Sequence, residues 1–169
     1  MGSWLTYWAL WWTLLRCFSI TVITMVYGKN KLEERRGLWN HLLTICRAVR
    51  NTPWLILGDF NILRYSSERL GSVDFDHGTM EEFNDWINEL DIEECPGKDF
   101  YYTWYNKRGR QTRRYSRIDR AFGYDAWLRK FFGFDVEFLA PGISDHSLVS
   151  VTLENKINFG PLPFKFHSY

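Results

Sequence analysis

Three short motifs place side chains that could do chemistry at the ends of apolar segments. They are Asp59 and Asn61 in "PWLILGDFN", Asp119 in "SRIDRAF", and His146 in "SDHS". Aspartate and asparagine oxygens suit a hard cation such as Mg²⁺, and an imidazole can neutralise an anion or carry a proton. Hydrolysis of a phosphodiester uses these functions together, because the anionic substrate repels a nucleophile. As a set, the motifs would suit that reaction.

Each motif taken alone also has a structural explanation. Residues 58–61 could form only a turn after a strand, and "SDHS" could be a turn or a cap. Asp119 could form an ion pair with Arg117 or Arg120. If it instead accepts a hydrogen bond from His146, it would fix the imidazole tautomer and raise its basicity.

The composition indicates one aromatic-rich domain. The chain has 169 residues, of which 18% are aromatic, and this is enough for one sizeable core. Its formal charge of +1 excludes a general polyanion-binding surface, so any contact with nucleic acid should be local. Cys17, Cys46 and Cys95 are widely spaced and lack a metal-ligand pattern. We expect a reducing, intracellular compartment and no structural zinc.

The apolar N-terminal segment does not predict a membrane span. The stretch from Trp4 to Leu15 is too short to cross a bilayer before Arg16 interrupts it, and it lacks the positive start of a signal peptide. Two core strands fit better, the second in "SITVITMVYG", which is rich in β-branched residues. We therefore expect no membrane association.

Hydrophobic periodicity predicts the elements that position the motifs. Apolar residues recur at helical spacing in "KNKLEERRGLWNHLLTICRAVRNTP", between "SITVITMVYG" and the strand "WLILGDF". This order of strand, helix and strand is typical of an α/β crossover unit. A second helix follows, with Thr79 and Glu82 as its capping box. Beyond it we predict strands in "FYYTWYN", "YSRIDRAFG", "FDVEFLA" and "SLVSVTL", and a short helix in "YDAWLRKFF".

Seven basic residues cluster in residues 106–120, "NKRGRQTRRYSRIDR", between two of these strands. A β-hairpin with a basic tip would grip DNA phosphates without reading their sequence. The predicted contacts are Lys107, Arg108, Arg110, Arg113 and Arg114. The alternative is a solvated hairpin with Gly109 at its turn.

The motifs together resemble the endonuclease/exonuclease/phosphatase (DNase I-like) family. "VYG", "PWLILGDFN", "ERLG", "YTWYN" and "GPLPFKF" are most similar to the endonuclease domain of plant LINE-type non-LTR retrotransposons. The resemblance implies an α/β fold, in which two sheets form a β-sandwich flanked by helices. It also implies Mg²⁺-dependent nicking of DNA in the nucleus, and a reverse transcriptase domain in the intact polyprotein. Hydrolysis of smaller phosphate esters is a third, less favoured activity.

The resemblance also implies a role for individual residues. Asp59 would orient or activate the attacking water, and Asn61 and Tyr27 would contact the scissile phosphate. His146 would neutralise that phosphate or act as the base. Asp119 would pair with His146, and Asp145 would lie with Asp59 on the metal side.

The sequence departs from the family pattern in its first part. The family's metal-binding Glu is absent, and no residue before Tyr27 is acidic. Glu33, Glu34 and Glu68 are better explained as helix-dipole complements and a surface salt bridge. We therefore expect a domain that lacks its N-terminal part and has weak or no activity. The alternative is an inactive remnant that binds nucleic acid through the basic hairpin.

The resemblance to this family also divides the chain into three segments. Residues 1–17 form a divergent N-terminal segment, residues 18–154 the partial domain, and residues 155–169 a linker-like tail. "GPLPFKF", in that tail, resembles the segment that connects endonuclease to reverse transcriptase.

Overall fold

A computed structural model describes residues 20–71 and 74–153, together with the backbone of residues 11–13. Its helices are α1 (Leu32–Ala48), α2 (His77–Leu90) and α3 (Asp125–Lys130), with 3-10 turns at Ser66–Glu68 and Arg110–Thr112. Its strands are β1 (Trp11–Thr13), β2 (Val22–Tyr27), β3 (Trp54–Asp59), β4 (Arg69–Leu70), β5 (Ile92–Glu94), β6 (Gly97–Asp99), β7 (Trp104–Tyr105), β8 (Tyr115–Ser116), β9 (Asp119–Tyr124), β10 (Asp135–Leu139) and β11 (Leu148–Thr152).

The central sheet has five strands in the order β1, β2, β3, β9 and β5. Strand β2 is parallel to β3, and the other pairs are antiparallel. Helix α1 makes the crossover between the parallel strands, as the order of strand, helix and strand predicted. Strand β3 is apolar on both faces because both faces of the sheet are covered at its position.

Helices α1 and α2 cover one face of this sheet. Leu42 of α1 and Phe83 of α2 are fully buried in one cluster with Trp54 and Ile56 of β3. The indole of Trp86 stacks on the ring of Phe83 with centroids 5.6 Å apart. Both helices were predicted from periodicity, and the structure confirms them.

The cap predicted for α2 is wrong. The helix begins at His77 and its N-cap is Asp76, whose side chain accepts a hydrogen bond of 3.0 Å from the Thr79 N–H. Thr79 thus lies in the first turn, and Glu82 forms an ion pair with Arg36 of α1. Aspartate is an equally good cap, so the capping-box pattern was misplaced by one turn.

The second sheet contains β6, β10 and β11, and it packs against the other face of the central sheet. Leu55 and Ala121 of the central sheet meet Val136 and Phe138 of β10, and Trp127 of α3 fills the same cluster. A further three-stranded sheet contains β4, β8 and β7. The predicted α/β class is confirmed, and the run "YSRIDRAFG" forms two strands, β8 and β9, instead of one.

Several other expectations can be compared with the described residues. Within them, no helix combines the length and apolar character needed to span a membrane. Cys46 and Cys95 are free thiols. Cys17, the segment "GPLPFKF" and most of the stretch from Trp4 to Leu15 lie outside the described residues.

Candidate active site

Three neighbouring strands bring their polar ends to one edge of the central sheet. Tyr27 of β2 is in register with Asp59 of β3, and Asp59 is in register with Asp119 of β9. Side chains alternate between the faces of a strand, so Asp59 shares the face of Leu55 and Leu57. That face packs against the second sheet, and Asp59 and Asp119 are both buried.

Asp119 binds the imidazole of His146. The Nδ1 atom of His146 lies 3.2 Å from Oδ1 and 3.1 Å from Oδ2 of the Asp119 carboxylate. This contact holds the ring by Nδ1 and leaves Nε2 as the nitrogen that can meet a substrate. The pairing selects one of the two alternatives for Asp119, because Arg117 and Arg120 bind glutamates instead.

The backbone around Asp119 and His146 is fixed through Thr103. The Thr103 hydroxyl accepts hydrogen bonds from the N–H groups of Ile118 (3.1 Å) and Asp119 (2.9 Å). The Thr103 carbonyl accepts the Ser147 N–H at 2.7 Å, and the next residue, Trp104, forms an isolated β-bridge with His146. One short segment therefore ties the aspartate to the histidine. Thr103 lies in the motif "YTWYN", but no role was predicted for it from the sequence.

Asn61 is held beside Asp59 by a tight turn. Its N–H donates to Oδ1 of Asp59 at 2.7 Å, and its φ is +52°, a left-handed conformation that asparagine tolerates well. The Asn61 side-chain Nδ2 donates to Oδ1 of Asn30 at 2.6 Å. Asn30 lies in the β2–α1 loop, so this contact joins two loops at the sheet edge.

Arg35 of α1 clamps the same two loops. Its Nη1 donates to the carbonyls of Lys29 (3.1 Å), Asn30 (2.9 Å) and Asn61 (3.1 Å). Arg35 is buried on the face of α1 that also carries Leu38 and Leu42. Sequence reasoning missed Arg35, although a cation at an apolar-face position of an amphipathic helix is the signal that could have found it.

Burial and neighbouring charge change the acidity of the site. Burial is the main reason that the pKa of Asp59 rises to about 6, and the nearby Asp119 carboxylate adds to the effect. The hydrogen bond to Asp119 raises the pKa of His146 above its ordinary value. The site therefore combines a carboxylate that is more basic than usual with an imidazole that holds its proton more strongly than usual.

Two further predicted site residues, Tyr27 and Asp145, lie beside Asp59 and His146. Tyr27 is 68% exposed at the end of β2. The Asp145 carboxylate accepts a hydrogen bond of 3.0 Å from the Trp104 indole, and its carbonyl accepts the N–H of Tyr105. Although burial opposes it, the bond from Trp104 helps to keep the pKa of Asp145 below its ordinary value.

A network of buried ion pairs lies under β9. Arg120 is completely buried and binds Glu68 and Glu94, and Glu94 also binds Arg64 and Arg117. The predicted surface salt bridge of Glu68 is wrong, because this side chain is buried at 3% exposure. Glu68 is held by Arg120 and by the N–H groups of residues 64 and 65, so it is not positioned to join Asp59.

A model of the Endonuclease/Exonuclease/phosphatase family matches residues 5–146. The chain belongs to this family. No curated protein matches the sequence significantly.

Solved structures of the Endonuclease/Exonuclease/phosphatase fold resemble the chain at low identity. The endonuclease domain of TRAS1, a telomere-specific non-LTR retrotransposon, has a TM-score of 0.62 at 18% identity, over 85% of this chain and 62% of that chain. A beta toxin from Staphylococcus aureus has 0.58 at 11% identity, over 85% and 56%. The 3′ phosphatase NExo from Neisseria, bound to a product DNA hairpin, has 0.58 at 18% identity, over 80% and 63%. At these identities the likeness shows the fold alone, and the chain spans about three fifths of each structure.

The Endonuclease/Exonuclease/phosphatase family is generally dependent on divalent metals, and one group in this chain could bind such an ion. Single ligand atoms from Asp59, Asp119 and His146 all lie within 4.8 Å of one another. Two carboxylates and an imidazole are donors that a divalent cation accepts. Asp145 lies outside this group, because its carboxylate is bound by Trp104.

The predicted hairpin is present in this member of the Endonuclease/Exonuclease/phosphatase family. Strands β7 and β8 pair in antiparallel orientation and are joined by residues 106–114, here called the basic loop. Its five cations are all exposed and form no ion pair within the described residues; they are Lys107, Arg108, Arg110, Arg113 and Arg114. The loop leaves the sheet one residue after Tyr105, whose N–H binds the Asp145 carbonyl next to His146.

Proposed function

We propose that this domain is a retrotransposon-type DNA endonuclease that nicks one strand by hydrolysis of a phosphodiester bond. The observation that carries the proposal is the joining of Asp59, Asp119 and His146 at one sheet edge, with His146 bound through Nδ1 to Asp119. Membership of the Endonuclease/Exonuclease/phosphatase family supports the reaction class. The exposed basic loop near His146 supports a polyanionic substrate.

The side chains divide the chemistry among them. Asp59, with a pKa of about 6, can orient a water molecule and accept its proton near neutral pH. His146, whose pKa is raised, presents Nε2 to the phosphate and neutralises charge that develops there. Asp119 keeps the imidazole in the required orientation. Asn61 and Tyr27 would contact the phosphate from the neighbouring strand ends.

Asp59 and Asp119 are the residues that would hold a Mg²⁺ ion, and Asp145 could join them only by releasing Trp104. A bound Mg²⁺ would stabilise negative charge on the phosphate oxygens. Asp119 already binds His146, so Asp59 is the carboxylate that is more available to bind a cation. This small ligand set predicts weak activity.

The product of the proposed reaction would be a nick with a 3′-hydroxyl. That end is the primer that a reverse transcriptase requires, so we extend the proposal to a partner reverse transcriptase domain and to action on nuclear DNA. This part of the proposal depends on the chemistry of the product and on the resemblance to LINE-type elements.

A second candidate function is binding of nucleic acid without hydrolysis. The observation that favours it is that Glu68 and Glu94, which lie in the ion-pair network of β9, are bound to Arg120 and its neighbours instead of to the candidate site. The basic loop does not depend on the Asp59 and Asp119 carboxylates, so it could bind phosphates whether or not the protein hydrolyses them.

A plasmid-nicking assay tests the proposal. Purified protein is incubated with supercoiled DNA in Mg²⁺ or in EDTA, together with the His146→Ala and His41→Ala variants. His41 is exposed on α1 and serves as the matched control. We expect nicking that requires Mg²⁺, falls about 100-fold or more in His146→Ala and is unchanged in His41→Ala. Folded protein that binds DNA but nicks equally poorly in all samples would contradict the endonuclease and favour the second candidate.

A further inference from the structure

A cleft beside β7 and β8 is lined mainly by aromatic rings. It has a volume of about 380 Å³, within the range of roughly 300–1,000 Å³ that is usual for ligand sites. The residues that matter for its chemistry are Phe100, Tyr102, Trp104, Tyr105, Tyr115 and Arg113. Of these rings, only the Trp104 indole contacts a residue of the candidate site, through its hydrogen bond to Asp145.

Three of the rings, those of Tyr102, Tyr105 and Tyr115, contact one another. The rings of Tyr105 and Tyr115 are stacked across the hairpin at 6.1 Å with an interplanar angle of 26°, and Tyr102 lies 6.0 Å from Tyr115. Phe100 is 49% exposed at the edge of the cleft. Cross-strand aromatic pairs stabilise a two-stranded ribbon, but that role requires neither an open cleft nor an exposed third ring.

Positive charge borders the same rings. Arg113 lines the cleft, and its Nη1 lies 3.5 Å from the Tyr115 hydroxyl. Arg113 belongs to the basic loop, whose cations have no acidic partner in the described part of the chain. Aromatic faces beside unpaired cations are the combination that binds single-stranded nucleic acid, with bases on the rings and phosphates on the cations.

The cleft is joined directly to the catalytic group. Thr103 lines the cleft, and its hydroxyl accepts the N–H of Asp119. Trp104 also lines the cleft, and its indole binds Asp145 while its backbone pairs with His146. Residues 103–105 thus belong both to the wall of the cleft and to the backbone that holds Asp119, Asp145 and His146.

We propose that this cleft binds unpaired bases of single-stranded DNA that flank the phosphate to be cut, an inference that rests on the proposed function. The rings stack on the bases, and Arg113 contacts a phosphate between them. Stacking accepts any base, so the site selects unpaired DNA and not a sequence. DNA with a single-stranded tail or gap next to the cut is then a better substrate than perfect duplex.

Binding without cleavage tests the cleft. Fluorescence anisotropy in EDTA compares a labelled 12-nucleotide oligo(dT) strand with a 12-base-pair duplex, for the unaltered chain and three variants. Tyr105→Leu removes the ring, and Tyr105→Phe keeps it. Phe132→Leu removes a ring that is 82% exposed and lies outside the cleft. Far-UV circular dichroism checks folding, and Tyr102→Leu replaces Tyr105→Leu if that variant unfolds.

We expect Tyr105→Leu to weaken binding of oligo(dT) about tenfold, without a change in the salt dependence. Tyr105→Phe and Phe132→Leu should bind as the unaltered chain does, and duplex binding should be unaffected. Equal affinities for oligo(dT) in all variants, or an equal loss for duplex, would overturn the proposal. Tighter binding of oligo(U) than of oligo(dT) would overturn the choice of DNA.

Nicking of a gapped and of an intact duplex separates this inference from the proposed function. Ring-dependent binding of oligo(dT) without any nicking would reject the endonuclease and keep the cleft as a binding site. Nicking that requires His146 but is identical for Tyr105→Leu on both substrates would reject the cleft and keep the endonuclease.

Discussion

Replacing Asp59 with asparagine should make the protein more stable at neutral pH, although it removes the carboxylate that we propose to be catalytic. Asp59 is 7% exposed and lies beside the Asp119 carboxylate, so its charged form is unfavourable in the folded state. An asparagine has nearly the same shape and no charge. Its Oδ1 can still accept the Asn61 N–H, and its Nδ2 can donate to Asp119.

The size of the effect follows from the pKa of Asp59, which rises from 3.8 to about 6 on folding. Well below pH 3.8 the carboxyl is protonated in both states, so burial has no electrostatic cost. As the pH rises from 3.8 to about 6, the unfolded chain ionises before the folded one, and stability is lost until the folded carboxyl ionises as well. The cost is about 1 kcal/mol at pH 4.5 and about 3 kcal/mol at pH 7.5, where it is complete.

Urea unfolding in EDTA at these two pH values measures the cost. Asp59→Asn should raise the free energy of unfolding by about 3 kcal/mol at pH 7.5 and by about 1 kcal/mol at pH 4.5. Asp85→Asn, at an exposed position of α2, is the matched control and should change it by less than about 0.5 kcal/mol. A gain that does not depend on pH, or a loss at pH 7.5, would refute the assignment of a buried, electrostatically strained carboxylate.

Three further predictions concern the same site. Asp119→Asn should lower the imidazole pKa of His146 in an NMR titration, and an unchanged pKa would contradict their pairing. Millimolar Mg²⁺ should raise the melting temperature of the unaltered chain relative to EDTA and should have little effect on Asp59→Asn; equal shifts would place the ion elsewhere. Arg120→Met should lower the free energy of unfolding by about 3 kcal/mol or more in urea titrations, because Glu68 stays buried without its partner. An unchanged free energy of unfolding would show that the network of ion pairs does not stabilise the fold.

The sequence predicted the fold where apolar periodicity was strong. The two long helices and strand β3 were predicted from residue spacing, because a continuous apolar run and a 3.6-residue period each have one simple explanation. The break between β8 and β9 was missed, since nothing in "YSRIDRAFG" shows that residues 117 and 118 leave the ladder. There the Ile118 N–H turns to the Thr103 hydroxyl, which is a long-range contact.

The acidic and imidazole side chains of the site were also predictable, but the groups that hold them were not. Asp59, Asp119 and His146 could be selected because their motifs lie at or beside the ends of apolar strands. Asn30, Arg35 and Thr103 act through contacts that depend on the packing of distant segments. The inward orientation of the Arg120 side chain could not be predicted either. A run of basic residues gives no indication of which side chains are buried against glutamates.

The internal bonding of the basic loop separates what can vary in this protein from what cannot. Asn106 closes the loop on itself: its Oδ1 accepts the N–H groups of Arg108 and Arg114, and its Nδ2 donates to the Thr112 carbonyl. Lys107 also donates from Nζ to the Ile143 carbonyl at 2.7 Å, in the segment that leads to His146, so this side chain helps to hold that segment. The side chains of Arg108, Arg110 and Arg114 make none of the bonds that close the loop, so they can be exchanged while the loop keeps its shape.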